Sequence, residues 1–287
     1  MIAHVAEAGE ERGRVVLRLG PTGSMSDIAL EAAVRVAQAF QSEIESLFIE
    51  DQRLFDLASF PFAREVSLSG RQTRAISAED IARELRALSA ALNRKVAETA
   101  RRAEVPVRFR TIRDEPVHAL AAACTESGPW NVVALAEPLT SGGAGYLAEL
   151  FAAVEGATGF VLVGPAARRT SGPVVAVIED VVRVAPMLRA AERLASVTGG
   201  EARLLLAGED GERLHLMEGQ VRLMLAEAAA MPVIAGSVRG DAAATADALR
   251  RLGAGFAIVQ FGGCLARREA GFSPLAAALE GPLFLVR

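Results

Sequence analysis

Three glycine-rich or acidic stretches carry residues whose types and spacing could contact a ligand. Glu179 and Asp180 form an acidic pair directly after Val174 to Ile178, an apolar run of strand character. Acids at the carboxyl end of a strand stand where open α/β sheets receive ligands. The structural alternative is a strand-to-helix turn in which Asp180 serves as a cap. Phe261-Gly262-Gly263-Cys264 follows a second such run, Phe256 to Gln260. Its glycines let backbone N–H groups turn together around a phosphate oxygen. Arg267 and Arg268 either pair with that phosphate or are solvated surface arginines. Ser273-Pro274 reads more simply as an N-cap followed by proline at the first helical position. Gly142-Gly143-Ala144-Gly145 reads either as an anion nest ahead of a helix or as a flexible connection. Trp130 and Tyr146 lie near it, each offering a ring for an adenine or for packing at the domain edge.

Other chemistries lack their residues. Lys95 is the only lysine, and it stands in Asn93-Arg94-Lys95-Val96, a helical stretch. A phosphate loop of the Gly-Lys-Ser/Thr type needs its lysine in a glycine loop, and a lysine Schiff-base enzyme is unexpected for the same reason. Cys124 and Cys264 lie far apart, as do His4, His118 and His215. No zinc spacing and no disulfide framework can be built from them. Cys264, beside glycines at a strand end, reads as a modifiable thiol or as a small hydrophobe; Cys124, on an apolar helix face, reads as packing. His118 follows Glu115-Pro116-Val117, with no Ser or Cys at a recognised catalytic spacing. No catalytic residue, metal or cofactor is therefore assigned.

The formal net charge of -4 leaves no excess of cations for nucleic acid. No run reaches the about 18 apolar residues of a membrane span. Residues 1–12 are Glu-rich and read as a tail without a signal-peptide stretch. The expectation is a reduced, cytoplasmic protein without a membrane partner.

The elements that must position these residues follow from periodicity. A chain of 287 residues, 51% hydrophobic but only 5% aromatic, has room for two domains of roughly 140 residues with aliphatic cores. Val15 to Leu19 is a β-rich run ending at the turn cluster Gly20-Pro21-Thr22-Gly23. Ile28, Ala32, Val36 and Phe40 recur at helical spacing behind Ser26 and Asp27. Strands at 44–49, 106–112, 132–136 and 160–163 follow, with helices at 81–96, 117–125 and 146–154 between the later ones. The same order then repeats. Strands fall at 174–178, 202–206, 233–238, 256–260 and 283–286, with helices at 182–196, 214–229, 242–252 and 275–279. Alternation of this kind predicts two α/β domains with parallel sheets. The echo of Ala153-Val154-Glu155-Gly156 in Ala278-Leu279-Glu280-Gly281 supports a duplication.

The expected organisation is a tail at 1–12, a first domain at 13–165, a linker at 166–172 and a second domain at 173–287. The stretch from Asp51 to Arg74 shows no clean period and reads as a long irregular connection, 51–76. It holds Phe55, Phe60 and Phe62, followed by Arg64, Arg71 and Arg74. Such a connection covers a pocket, offers a protein-binding patch or roofs the domain core.

With the first strand, Ser26 to Ala37, Ser42 to Asp51 and Gly159 to Val163 quoted together, the chain resembles the universal stress protein family in its tandem form. The resemblance covers nearly the whole length. It implies two tandem five-stranded parallel sheets flanked by helices, of the adenine nucleotide alpha hydrolase-like kind, pairing through their last strands as an intramolecular pseudo-dimer. The family's nucleotide binders carry an acid at the end of strand one. After strand four they carry a loop in which two residues, then nine, separate three glycines, the last followed by Ser or Thr. Here Gly20 occupies the first acidic position, and ten residues separate Gly145 from Gly156. The second half keeps Glu179 and Asp180 but lacks the glycine spacing.

The expectation drawn from this is a non-enzymatic stress-response or regulatory protein with degenerate nucleotide sites, acting through an unidentified protein partner. Further homo-oligomerisation stays open. The alternative is an adenine-nucleotide sensor taking ATP, ADP or AMP through Glu179, Asp180, Gly262 and Gly263. A nucleotidyl transferase or an electron-transfer flavoprotein, from related α/β superfamilies, ranks below both; the former's His- or Lys-containing phosphate motif is missing.

Overall fold

The computed structural model describes residues 13–21, 25–67, 69, 71, 73–126, 130–137, 144–154, 156–227, 233–266 and 273–287. In the first half, β1 (Arg14–Leu19), β2 (Glu43–Asp51), β5 (Val107–Asp114), β6 (Asn131–Leu135) and β7 (Ala157–Leu162) form the sheet strands. Helices α1 (Asp27–Ala39), α3 (Ala78–Arg102), α4 (Pro116–Thr125) and α5 (Ala144–Ala153) connect them. The second half supplies β8 (Val174–Ile178), β9 (Ala202–Gly208), β10 (Val233–Arg239), β11 (Phe256–Gln260) and β12 (Leu283–Val286). Its helices are α6 (Val184–Thr198), α7 (Gly211–Glu227), α8 (Ala242–Arg251) and α9 (Ser273–Ala278).

Strand order runs β10-β9-β8-β11-β12-β7-β6-β1-β2-β5 in one ten-stranded sheet. Each half is parallel throughout, and the halves meet where β12 runs antiparallel to β7, with Leu283 opposite Leu162 and Leu285 opposite Phe160. The two expected five-stranded sheets are thus one continuous sheet, joined through the last strand of each half.

The alternation of side chains across the pleat explains why the strands read as unbroken apolar runs. Val15, Leu17 and Leu19 of β1 enter one core, with Val174, Ala176 and Ile178 of β8 beside them. Val16, Val175 and Val177 enter the other. The first core is closed by α1, α3, α6 and α7, the second by α4, α5, α8 and α9. Helix starts follow capping rules: Ser26 accepts from the Ala29 N–H, and Asp241 accepts from those of Ala243 and Ala244.

The stretch expected to be an irregular connection holds three short elements. These are α2 (Gln52–Ser59), capped by Asp51, and a hairpin of β3 (Arg64–Val66) with β4 (Thr73–Ala75). The pattern was invisible for a physical reason. Phe55 is the one fully buried residue of α2, with Leu54 half-buried beside it, and eight residues are too few for that face to register as a period. All six hairpin residues are exposed, so no alternation marks the strands.

Candidate functional site

In each half the strand order reverses between the first and fourth strands, at β1 beside β6 and at β8 beside β11. Crevices at the carboxyl ends of such strand pairs are where open α/β sheets receive ligands. Glu179 and Asp180 leave β8 at that point, and Gly262 and Gly263 leave β11.

The structure brings Glu179 and the glycine loop into contact. The Cys264 N–H donates to Glu179 Oε2, and the Leu265 N–H lies 3.4 Å from both carboxylate oxygens. The loop holds its shape through Gly262, whose φ of 82° is open to glycine, and whose N–H donates to the Ala266 carbonyl at 2.8 Å. Gly263 leaves room for the carboxylate. A Cβ there would stand 2.6 Å from Glu179 Oε2, closer than real contacts allow. Asp180 turns away to a separate task, its Oδ1 accepting from the Val182 N–H at 3.1 Å. It caps the short 3₁₀ turn Val181–Arg183 that leads into α6.

The first half presents the same pair with the strands exchanged. Here the glycine, Gly20, follows β1, and the acid, Glu137, follows β6; a Cβ on Gly20 would overlap the Glu137 carboxylate. Glu137 Oε2 also faces Arg18 Nη1 at 3.7 Å. The sequence reading passed over Glu137 and Arg18. The usable signal was the exchange itself, since an acid missing after the first strand stands after the fourth.

The other candidates are dispersed. Gly142, Gly143, Arg267, Arg268 and His4 lie outside the described residues, and Gly145 falls in the first turn of α5. Trp130 packs its ring against Phe40 at 5.3 Å. His118, on the exposed side of α4, pairs with Asp114 at 2.6 Å. Lys95 pairs with Asp27. Cys264 is exposed and Cys124 buried; burial pushes the Cys124 thiol up from its usual 9.0 to about 12. Among the described residues no three His, Cys, Asp or Glu side chains group to hold a metal ion, and no helix is long and apolar enough to cross a membrane.

A second feature is apolar and exposed. Phe60 and Phe62, after α2, stack at 5.5 Å while 49% and 77% exposed, with Leu57 and Val66 also open to solvent. Phe55 instead turns inward, its ring 3.7 Å from the Arg113 guanidinium.

No protein-family model matches the chain, and no curated protein matches it. Solved structures do. A universal stress protein from Archaeoglobus fulgidus is 14% identical with a TM-score of 0.60, covering 95% of this chain and 96% of its own. A Pseudomonas aeruginosa protein described as a universal stress protein is 14% identical with a TM-score of 0.60, over 96% of this chain and 93% of its own. The cytoplasmic domain of a prokaryotic cation chloride cotransporter is more distant, at 10% identity and a TM-score of 0.54, over 96% and 95%. The chain has the α/β fold of the universal stress proteins along nearly its whole length.

Proposed function

We propose that this chain is a non-enzymatic regulatory protein of the universal stress type, cytoplasmic, acting by binding a protein partner and holding no nucleotide in either half. The observation that carries the reading is the Glu179 carboxylate lying on the Cys264 and Leu265 amides, where a nucleotide's phosphate would need them. Like charges do not share one set of donors. The surface assigned to the partner is the stacked Phe60 and Phe62 pair with Leu57 and Val66, because an exposed apolar cluster on a projecting arm marks an interaction site. The two halves, fused through β7 and β12, form the intramolecular pseudo-dimer on which that arm stands.

An adenine-nucleotide sensor is the second reading. In its favour, Glu179, Gly262 and Gly263 do converge at a strand-order reversal.

The test is an assay of the purified chain for carried-over nucleotide, then calorimetric titration with ATP, ADP and AMP, beside cross-linking of native and F60S/F62S protein. The expected result is no nucleotide, no heat up to millimolar ligand, and a cross-linked partner lost in the variant. Binding that disappears on replacing Glu179 or Gly263 establishes the sensor instead.

A further inference from the structure

We infer that Glu179 is a built-in anion, its carboxylate filling the amide nest of the loop after β11 and closing that crevice to phosphate groups. Three observations converge. Glu179 leaves the first strand of its half beside the fourth, at the strand-order reversal. The amides of Cys264 and Leu265 turn toward its carboxylate, as they would toward any oxyanion. And the glycine at 263 is matched to that occupant, since a Cβ there would stand 2.9 Å from the carboxylate carbon as well.

The first half shows that the filling recurs in the fold. Glu137 and Gly20 meet there with the strands exchanged, so each half sets one carboxylate against one glycine at its crevice. The halves differ in what faces the acid. Glu137 faces the Arg18 guanidinium, whereas Glu179 lies on backbone amides. In the second half, removing the carboxylate exposes the Cys264 and Leu265 amides as an oxyanion nest. The ligand chemistry is a phosphate group, and inorganic phosphate and AMP separate a site for phosphate alone from one that also holds a base.

Cys264 supplies a reporter. Its exposed thiol lies on the residue whose amide Glu179 holds, and the buried Cys124, with its raised pKa, stays silent toward iodoacetamide. Full-length native, E179A and E179Q proteins, matched by circular dichroism, are titrated with inorganic phosphate and with AMP, and Cys264 alkylation is timed. Native protein is expected to give no phosphate heat and an alkylation rate indifferent to phosphate. E179A is expected to bind phosphate about tenfold or more tightly than native, the scale of one lost or gained charged hydrogen bond, and phosphate should then slow its alkylation. E179Q, which keeps the shape without the charge, should alkylate faster than native.

Phosphate binding by native protein as tight as by E179A overturns the inference, and so does a folded E179A indifferent to phosphate. Should E179A fail to fold, E179Q decides, with a native-like alkylation rate counting against. The inference rests on the reading that native protein holds no nucleotide in this crevice, but the two fail separately. AMP binding by native protein with Cys264 alkylation unchanged removes that reading and leaves the plugged nest standing. Indifference of E179A to phosphate removes this inference, while the absence of nucleotide from native protein is decided separately by its own titration.

Discussion

Arg14 begins β1, is only 6% exposed, and ties a different part of the first half with each hydrogen bond of its guanidinium. Its Nη1 donates to Glu45 on β2, its Nε to Asn131 Oδ1 on β6 at 3.0 Å, and its Nη2 to the Ala123 carbonyl in α4. Asn131 in turn donates to the Cys124 carbonyl at 2.8 Å, so the end of α4 is held to the sheet twice. Glu45, 3% exposed, also has Arg110 within 3.6 Å. This cluster lies at the amino ends of the strands, opposite the crevices, and its role is structural. A buried pair contributes little net stability over an apolar replacement, yet breaking it strands a charge. E45A is therefore expected to lose about 3–5 kcal/mol in urea unfolding, while E45L combined with R14M recovers most of that loss. A single variant costing less than about 1 kcal/mol, the scale of an exposed pair, would refute the assignment.

Among the elements, β8, buried along its whole length, was legible, and α2 with the exposed β3–β4 hairpin was not. The β8 run Val174 to Ile178 is apolar at every position because helices cover both sides, so its bounds could be read directly. The hairpin residues are all exposed, and the apolar face of α2, Leu54 and Phe55, is too short to show a period. The site was half legible for a related reason. An acid after one strand and glycines after another are local features, but that Glu179 faces Gly263 follows from β8 lying beside β11, which no local pattern encodes. Glu137 was missed because the acid was sought after the first strand of each half, and here it follows the fourth. With so little buried, α2 depends on its ends. Asp51 caps it by accepting from the Arg53 N–H at 3.0 Å, and Phe55 anchors it under Arg113. D51A is expected to weaken the helix by about 1 kcal/mol, raising amide exchange across 52–59 roughly fivefold while leaving the midpoint of global unfolding unchanged. Unchanged exchange in 52–59 would show that tertiary contacts, not the cap, hold the element.

For the molecule as a whole, what matters is how a chain poor in aromatics spends them at the join between its halves. On one face Phe40 of the first half meets Phe284 of β12 at 6.0 Å, with Arg193 of α6 over the same ring at 5.8 Å. On the other, Phe151 lies against Phe160 at 4.0 Å and stacks on Phe261 at 5.1 Å, and Arg287 covers Phe261 at 5.1 Å. Arg287 also donates to the Phe151 carbonyl at 2.7 Å, so the last residue of the second half is fastened to the first. The Phe284 ring crosses β7 where Gly159 stands, and a Cβ there would come within 2.7 Å of it. Since the last strands of both halves share this seam, neither half should unfold alone: the native chain is expected to lose structure in one transition. Trp130, tilted against Phe40 in the first half, is the only tryptophan, so its fluorescence follows that half while far-ultraviolet dichroism follows both. F284A is expected to cost about 3–5 kcal/mol for the vacated volume, and G159A about 1–3 kcal/mol for the forced displacement. Both should separate the two probes into distinct transitions, because agreement between probes is the signature of cooperative unfolding. If fluorescence and dichroism stay superimposed in both variants at the native midpoint, the seam does not couple the halves, and their cooperation must come from α1 packing on α6 along one face of the sheet instead.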